Sequence, residues 1–208
     1  SHEIRTPLNA IVGFSDIVAE TQDEDEKKEY LEIIHKNNDL LLHLIDDILD
    51  FSKIESGTLD YHISEMNIKE ICEEVFLASS LKMKPKVKLV FDKELPSIRL
   101  KTDPQRVMQV ISNFVNNAIK FTEKGSITIS YKREGNYLRV NVQDTGIGIS
   151  EDDRKRIFER FIKINEFKQG TGLGLTISRT IIESLNGAIG VDSVKGSGST
   201  FWFTLPLE

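Results

Sequence analysis

Apolar positions follow two different rhythms along the chain. In the first 56 residues they recur in alternating steps of three and four: Ile4, Leu8, Ile11 and Val18, then Leu31, Ile34, Leu41, Ile45 and Ile48. Ser15 and Asn38 occupy polar slots in the same rows. Such spacing lays one apolar stripe down a helix and forms a coiled-coil seam. It predicts two helices joined near residues 21–25, the second running from about 26 to 55 and roughly 45 Å long. Leu42, Leu44 and Leu49 widen the stripe beyond what two helices can cover. A homodimer completing a four-helix bundle is therefore expected, with Asn38 setting register. Packing of a monomeric hairpin onto the rest of the chain is the alternative.

Ser56-Gly-Thr58 ends the helix and the rhythm changes. Asn67 with Glu70 reads as a cap ahead of a helix carrying Ile71, Val75 and Phe76. Val87–Phe91 reads as a short strand, and Asp103-Pro104 as a helix start, a capping acceptor followed by proline at the first helical position. Residues 126–131 and 137–144 alternate apolar and polar around a Glu134-Gly-Asn136 turn, which predicts a β-hairpin. Ser150 with Asp153 caps a further helix through Phe158, and residues 176–185 are helical again. Residues 188–193 and 200–205 close the chain as strands about a Gly196-Ser-Gly198 turn, with Phe201, Phe203 and Leu205 inward and Trp202 and Thr204 outward. The fold class is α+β: a helical hairpin at 1–57, a connector at 58–66, and a two-layer α/β sandwich at 67–208.

Composition narrows the classes. A chain of 208 residues with 29% charged and 39% hydrophobic residues suits a globular protein with a core. A net charge of −6 argues against non-specific nucleic-acid binding. The single cysteine, Cys72, excludes an internal disulfide framework, suits a reducing compartment and falls in an apolar helix pattern. No apolar run reaches the roughly 20 residues of a membrane span, and no signal peptide is visible. The abrupt opening inside a helix reads as a fragment of a longer chain, with any membrane spans expected in the remainder.

The polar positions then carry the chemistry. In Asn113-Phe-Val-Asn-Asn-Ala-Ile-Lys-Phe-Thr122, helical spacing puts Asn113, Asn117 and Lys120 on one face. Val107, Ile111, Phe114, Val115, Ala118 and Ile119 cover the other. Asparagine costs a helix up to about 0.7 kcal/mol against alanine, and three stand within five positions. A hard cation held by an amide oxygen, with Lys120 meeting phosphate, accounts for that cost. A solvated face accounts for it equally. Leu138, Val140, Val142 and Asp144 share one strand face, so the Asp144 carboxylate points coreward and requires a donor. An adenine amine is one candidate, a protein donor the other. Gly146-Ile-Gly148 lets a flat ring approach the backbone. Gly170-Thr171-Gly172-Leu173-Gly174 before a helix offers N–H groups to phosphates or is a simple hinge, and residues 163–170 read as a lid. It has neither Rossmann spacing nor a Walker A pattern. At the start, His2 and Thr6 share a helix face, Arg5 lies one turn from His2, and Pro7 should bend the helix just past His2. A neutral imidazole with Glu3 beside it is a competent nucleophile. An ordinary exposed histidine is the other reading, adopted for His35, His43 and His62.

Taken together these stretches resemble the kinase core of a bacterial two-component sensor histidine kinase, over nearly the whole chain. Residues 1–9 resemble the H box, 113–122 the N box, 144–148 the first glycine box, 157–161 the F box and 170–175 the second glycine box. Gly196-Ser-Gly-Ser-Thr200 is similar to the last glycine-rich turn. Each alone is weak; six in order at family spacing are specific. The resemblance implies a dimerization and phosphoacceptor hairpin followed by a Bergerat-type ATP-binding domain. It makes His2 the residue phosphorylated from ATP, Glu3 its acid/base partner, and Thr6 the group that orients water for dephosphorylation of a partner. It makes Asn117 the Mg2+ ligand, Asn113 the polar partner one turn earlier, Lys120 a phosphate contact and Asp144 the adenine reader. Phe121 borders the adenine; Gly146, Gly148, Gly172 and Gly174, with Thr171 and Leu173, shape pocket and lid; Arg160 or Lys163 meets the γ-phosphate. The phosphoryl group then passes to an aspartate of a response-regulator receiver domain docked near Ile11 and Phe14, after a motion about residues 56–66. The implied location is the cytoplasmic part of a membrane-anchored sensor. A kinase-dead scaffold leaves His2, Asn117 and Asp144 unexplained, and a gyrase- or chaperone-type clamp leaves the N-terminal hairpin unexplained.

Overall fold

The structure is a computed structural model that describes residues 2–160, 162 and 172–207, with His2 described as backbone only. The chain divides into two compact units, one built on the helical hairpin up to Leu59 and grouping Gly172 and Leu173 with it, the other the α/β body of Asp60–Ile164 and Gly174 onward. In the first, helix α1 (His2–Glu20) packs along helix α2 (Glu24–Glu55). Asp23 caps α2 by accepting from the N–H groups of Asp25 and Glu26, and Glu24, Asp25 and Glu26 put negative charge at its positive end. Ser56 ends it, with Gly57 left-handed at φ 65°. Phe14 and Tyr30 stack across the hairpin at 5.7 Å. The helix α1 continues through Pro7, which has no N–H to donate within the helix. Among the described residues, no helix is long and apolar enough to cross a membrane.

The second unit is a two-layer sandwich. Its elements run β1 (Ser64–Asn67), α3 (Ile68–Ser80), β2 (Val87–Phe91), β3 (Arg99–Thr102), α4 (Pro104–Phe121), β4 (Gly125–Glu134), β5 (Tyr137–Asp144), α5 (Glu151–Arg156), α6 (Gly174–Ser184), β6 (Ala188–Val194) and β7 (Gly198–Pro206). Five strands form one sheet in the order β2-β4-β5-β7-β6, parallel only between β2 and β4. The helices α3, α4 and α6 pack on the sheet. The pair β1–β3 forms a separate two-stranded sheet that the hydrophobic pattern does not reveal, because Ser-Glu-Met-Asn and Arg-Leu-Lys-Thr are too short and too polar to alternate clearly. The capping helix α5 stops at Arg156, two residues short of Phe158.

Helix α4 is the keystone of the sandwich. Val107, Val110, Ile111, Phe114 and Val115 are fully buried, each such side chain worth about 1.5–3 kcal/mol. The Phe114 ring meets Phe201 at 5.4 Å and Phe203 at 6.3 Å, fixing the helix to β7. Phe201, Phe203 and Leu205 face in as the alternation predicts, while Trp202 lies on the other face under the Arg139 guanidinium. Cys72 is wholly buried and its thiol is pushed up to about 12, chiefly by burial, so it packs rather than reacts.

Candidate functional site

Fixing the apolar side of α4 against the sheet turns Asn113, Asn117 and Lys120 to the half-buried opposite side. Asp103 caps the helix by accepting from the Arg106 N–H at 3.1 Å, and its second oxygen accepts from the His62 N–H at 2.8 Å. That carboxylate ties the chain before β1 to the start of the site helix. Asn113 and Asn117 are linked side chain to side chain, Nδ2 of Asn117 donating to Oδ1 of Asn113 at 3.4 Å. Lys120 lies 5.1 Å from the centre of the Phe121 ring.

Asp144 ends β5 on the buried side, 6% exposed, in line with Leu138, Val140 and Val142. Its Oδ1 accepts the Gly146 N–H at 2.8 Å, and the Ser199 N–H also donates to the carboxylate. Burial holds the Asp144 carboxyl above the usual carboxylate range, against the downward pull of those two N–H groups. The loop that follows requires glycine. A Cβ on Gly146 would sit 2.5 Å from the Phe121 carbonyl oxygen, and one on Gly148, at φ 64°, would run into the Val194 carbonyl. The β6–β7 turn holds this loop from the far side: Gly196 N–H donates to the Ile147 carbonyl at 2.7 Å, and Ile149 N–H to Ser193 Oγ at 2.8 Å. Ser193 in turn donates to the Gly198 carbonyl at 2.9 Å.

The structure thus brings together, in one unit, the polar face of α4, the end of β5 and the start of α6. Asn113 Nδ2 donates to Ser178 Oγ on α6 at 2.9 Å, and a Cβ on Gly174 would lie 2.6 Å from Asn113 Oδ1. Gly172 is left-handed at φ 70°. Arg160 is exposed at the end of the turn after α5. The lid at 163–170, with Lys163, and Thr171 lie outside the described residues, as does the side chain of His2. Glu3 is half-buried and Thr6 exposed on α1, in the other unit. His35, His43 and His62 are exposed, as expected of ordinary surface histidines. The sequence pattern passes over two residues of this neighbourhood, Ser178 and Ser193. For Ser178 a signal was present: it shares the buried side of α6 with Ile181 and Ile182, three and four positions on, where a hydroxyl requires a partner.

A site of this shape, with a buried carboxylate beside a glycine loop and an amide-lined helix face, has known counterparts. Residues 102–208 match the family described as histidine kinase-, DNA gyrase B- and HSP90-like ATPase, and residues 1–57 match the His Kinase A (phospho-acceptor) domain. Over its whole length the chain is 40% identical to sensor protein GacS of Pseudomonas syringae pv. syringae. It spans about a quarter of that protein's length, 24%. Among solved structures it is similar to the Acinetobacter baumannii histidine kinase AdeS, with TM-score 0.78 and 25% identity over 100% of this chain and 98% of that one. It is also similar to histidine kinase ThkA in complex with response regulator protein TrrA, with TM-score 0.74 and 28% identity over 100% of this chain and 59% of that one. The two family matches fall on the helical hairpin and on the sandwich that holds Asp144 and the N-box helix. The chain therefore belongs to the histidine kinase-, DNA gyrase B- and HSP90-like ATPases, and within them to the sensor histidine kinases of two-component signalling.

Proposed function

We propose that the chain phosphorylates itself on His2 from ATP bound between Asp144 and the polar face of α4, then passes the phosphoryl group to an aspartate of a response-regulator receiver domain. The working parts are a phosphoacceptor hairpin at 1–57, a connector at 58–66 whose last residues, Ser64–Met66, already pair in β1, and a nucleotide domain at 67–208. The observation that carries the proposal is Asp144: a buried carboxylate beside a loop with no room for a Cβ at Gly146 or Gly148, where an adenine amine would complete its bonding. Phe121 borders the same space, its carbonyl oxygen close against Gly146.

The donor set fits a magnesium ion. Asn117 spends its nitrogen on Asn113, which leaves a neutral carbonyl oxygen of the kind Mg2+ accepts alongside phosphate and water. Asn117 would hold the ion, whose charge offsets that of the phosphates. Lys120 and Arg160 add positive charge at the triphosphate, and Gly172, Gly174, Thr171 and Leu173 shape the loop over it. In the transfer, an imidazole nitrogen of His2 forms a bond to the γ-phosphorus as the bond to the β–γ bridging oxygen breaks. The electron pair leaves with ADP, and Glu3 accepts the ring proton. Motion about the connector brings the two parts together. Thr6 orients water when the same hairpin dephosphorylates the regulator.

The hairpin supports a homodimer. Leu8, Val12, Leu42 and Leu49 are each between 45% and 55% exposed on a single chain, apolar surface that a second hairpin would cover in a four-helix bundle. The ThkA relative has been solved with a response regulator, which supports such a partner here; the place we propose for its receiver domain is the hairpin near Ile11 and Phe14. The setting we propose is the cytoplasmic side of a membrane-anchored sensor. Incubating the chain with γ-labelled ATP tests the proposal. The label is expected to become covalent, acid-labile and base-stable; turnover of ATP without such a label overturns it.

A further inference from the structure

Asn113 stands between two helices. On one side its Nδ2 donates to Ser178 Oγ at 2.9 Å; on the other its Oδ1 accepts from Asn117 Nδ2 at 3.4 Å. The two ends of an amide side chain are nearly the same shape, so only hydrogen bonds decide which end points where. A serine hydroxyl can accept or donate; in this structure Ser178 Oγ accepts from Asn113 Nδ2, and that arrangement turns the oxygen of Asn113 toward Asn117. Asn117 then commits its own nitrogen, and its carbonyl oxygen becomes the open end of the chain of bonds. No described residue donates to that oxygen. Ser178 is 2% exposed and is flanked along the buried side of α6 by Ile177 and Ile181. An alanine would fill that place without the cost of burying a hydroxyl, so the serine calls for a reason. Gly174 supplies the fit, since any Cβ there would press on Asn113 Oδ1 and hold α6 away.

We propose that Ser178 is a positioning residue for the metal–nucleotide complex. Through Asn113 it holds the Asn117 amide in the one orientation that presents oxygen, rather than nitrogen, to a magnesium ion on ATP. The assignment rests on Asn117 as the cation ligand. Without the hydroxyl, the Asn113 amide is free to turn, and the Asn117 amide with it. A fraction of molecules then offers a donor N–H to the cation, which repels it.

The test is the ratio between the affinities of the intact chain for a non-hydrolysable ATP analogue with and without Mg2+, read by titration calorimetry. This ratio is a binding quantity and needs no turnover. Ser178→Ala is expected to lower it about fivefold, the value of one net hydrogen bond, and to leave the metal-free affinity unchanged. Ser178→Thr, which keeps the hydroxyl, is expected to keep the ratio. Asn113→Ala breaks the chain of bonds from its other member and is expected to lower the ratio as Ser178→Ala does, with no further loss when the two are combined. It also serves if Ser178→Ala folds poorly. Asn117→Ala is expected to bring the ratio to about one. If Asn117→Ala does so while Ser178→Ala and Asn113→Ala keep the wild-type ratio, the positioning role is overturned and the ligand stands. If Asn117→Ala keeps the ratio, the ligand assignment itself fails and the positioning role with it. Equal weakening with and without Mg2+ in Ser178→Ala also overturns it, since that is the mark of packing alone.

Discussion

Replacing Asp144 by asparagine is expected to weaken ATP binding about a hundredfold and to remove the one contribution from this site that rises as pH is lowered. The carboxylate of Asp144 is an acceptor only, and already takes the Gly146 and Ser199 N–H groups. An adenine amine would be a third donor converging on two oxygens. An asparagine has one oxygen and one NH2, so it must turn a donor toward some donor. A hydrogen bond to a buried charge is worth about 1.5–3 kcal/mol, roughly ten- to a hundred-and-fiftyfold in affinity. The acid response follows from burial. Because the folded-state value is raised above the ordinary 3.8, the folded chain holds a proton at Asp144 more tightly than the unfolded chain does. This group's burial penalty is therefore fully present above the raised value. It fades as pH falls toward 3.8, and is gone below it, so its contribution to stability rises as pH is lowered through that window. Urea unfolding of wild type and Asp144→Asn across pH 4 to 7 isolates this term as the difference between the two curves. Parallel curves, or calorimetry showing undiminished ATP affinity in the variant, would count against adenine recognition by a buried carboxylate.

His2→Gln is expected to abolish covalent phosphate entirely while leaving ATP affinity unchanged. The two effects separate because His2 belongs to the hairpin, whereas Asp144, Asn117 and Lys120 belong to the sandwich. Glutamine keeps a polar side chain of similar length at the first position of α1, so helix and hairpin should form as before. It has no nitrogen with a free lone pair to attack phosphorus. Gel analysis after incubation with labelled ATP reads the first quantity and calorimetry with an ATP analogue the second. Residual acid-labile label in the variant would move the phosphoacceptor to another histidine, of which the chain has three more.

How far the fold was legible in the chain depended on how much of each element's burial is one-sided. Helix α4 could be read because its two faces differ sharply, with Phe114 wholly buried and Asn113 and Asn117 half-buried on the opposite side. The strand β5 could be read because Leu138, Val140, Val142 and Asp144 alternate with exposed or half-exposed residues over eight positions. Caps at Asn67, Asp103 and Ser150 announced their helices because a side-chain acceptor meeting a free N–H is a local event. The strands β1 and β3 were not legible, since four residues with one or two buried side chains carry no rhythm. Nor were the tertiary bonds of the site. The link from Asn113 to Ser178 spans 65 residues and that from Ile149 to Ser193 spans 44, and no local pattern encodes such a pairing. Sequence alone therefore marks the amides and the carboxylate as candidates, and their common surroundings emerge only when α4, β5 and α6 are packed.

The central claim is that this neighbourhood holds ATP by its adenine at Asp144 and by its phosphates along α4. A crystal structure of the chain with Mg2+ and a non-hydrolysable ATP analogue tests it most directly. The prediction is an adenine amine within hydrogen-bond distance of the Asp144 carboxylate and a magnesium ion on the carbonyl oxygen of Asn117. A nucleotide bound with its base elsewhere, or a metal held without Asn117, would contradict it.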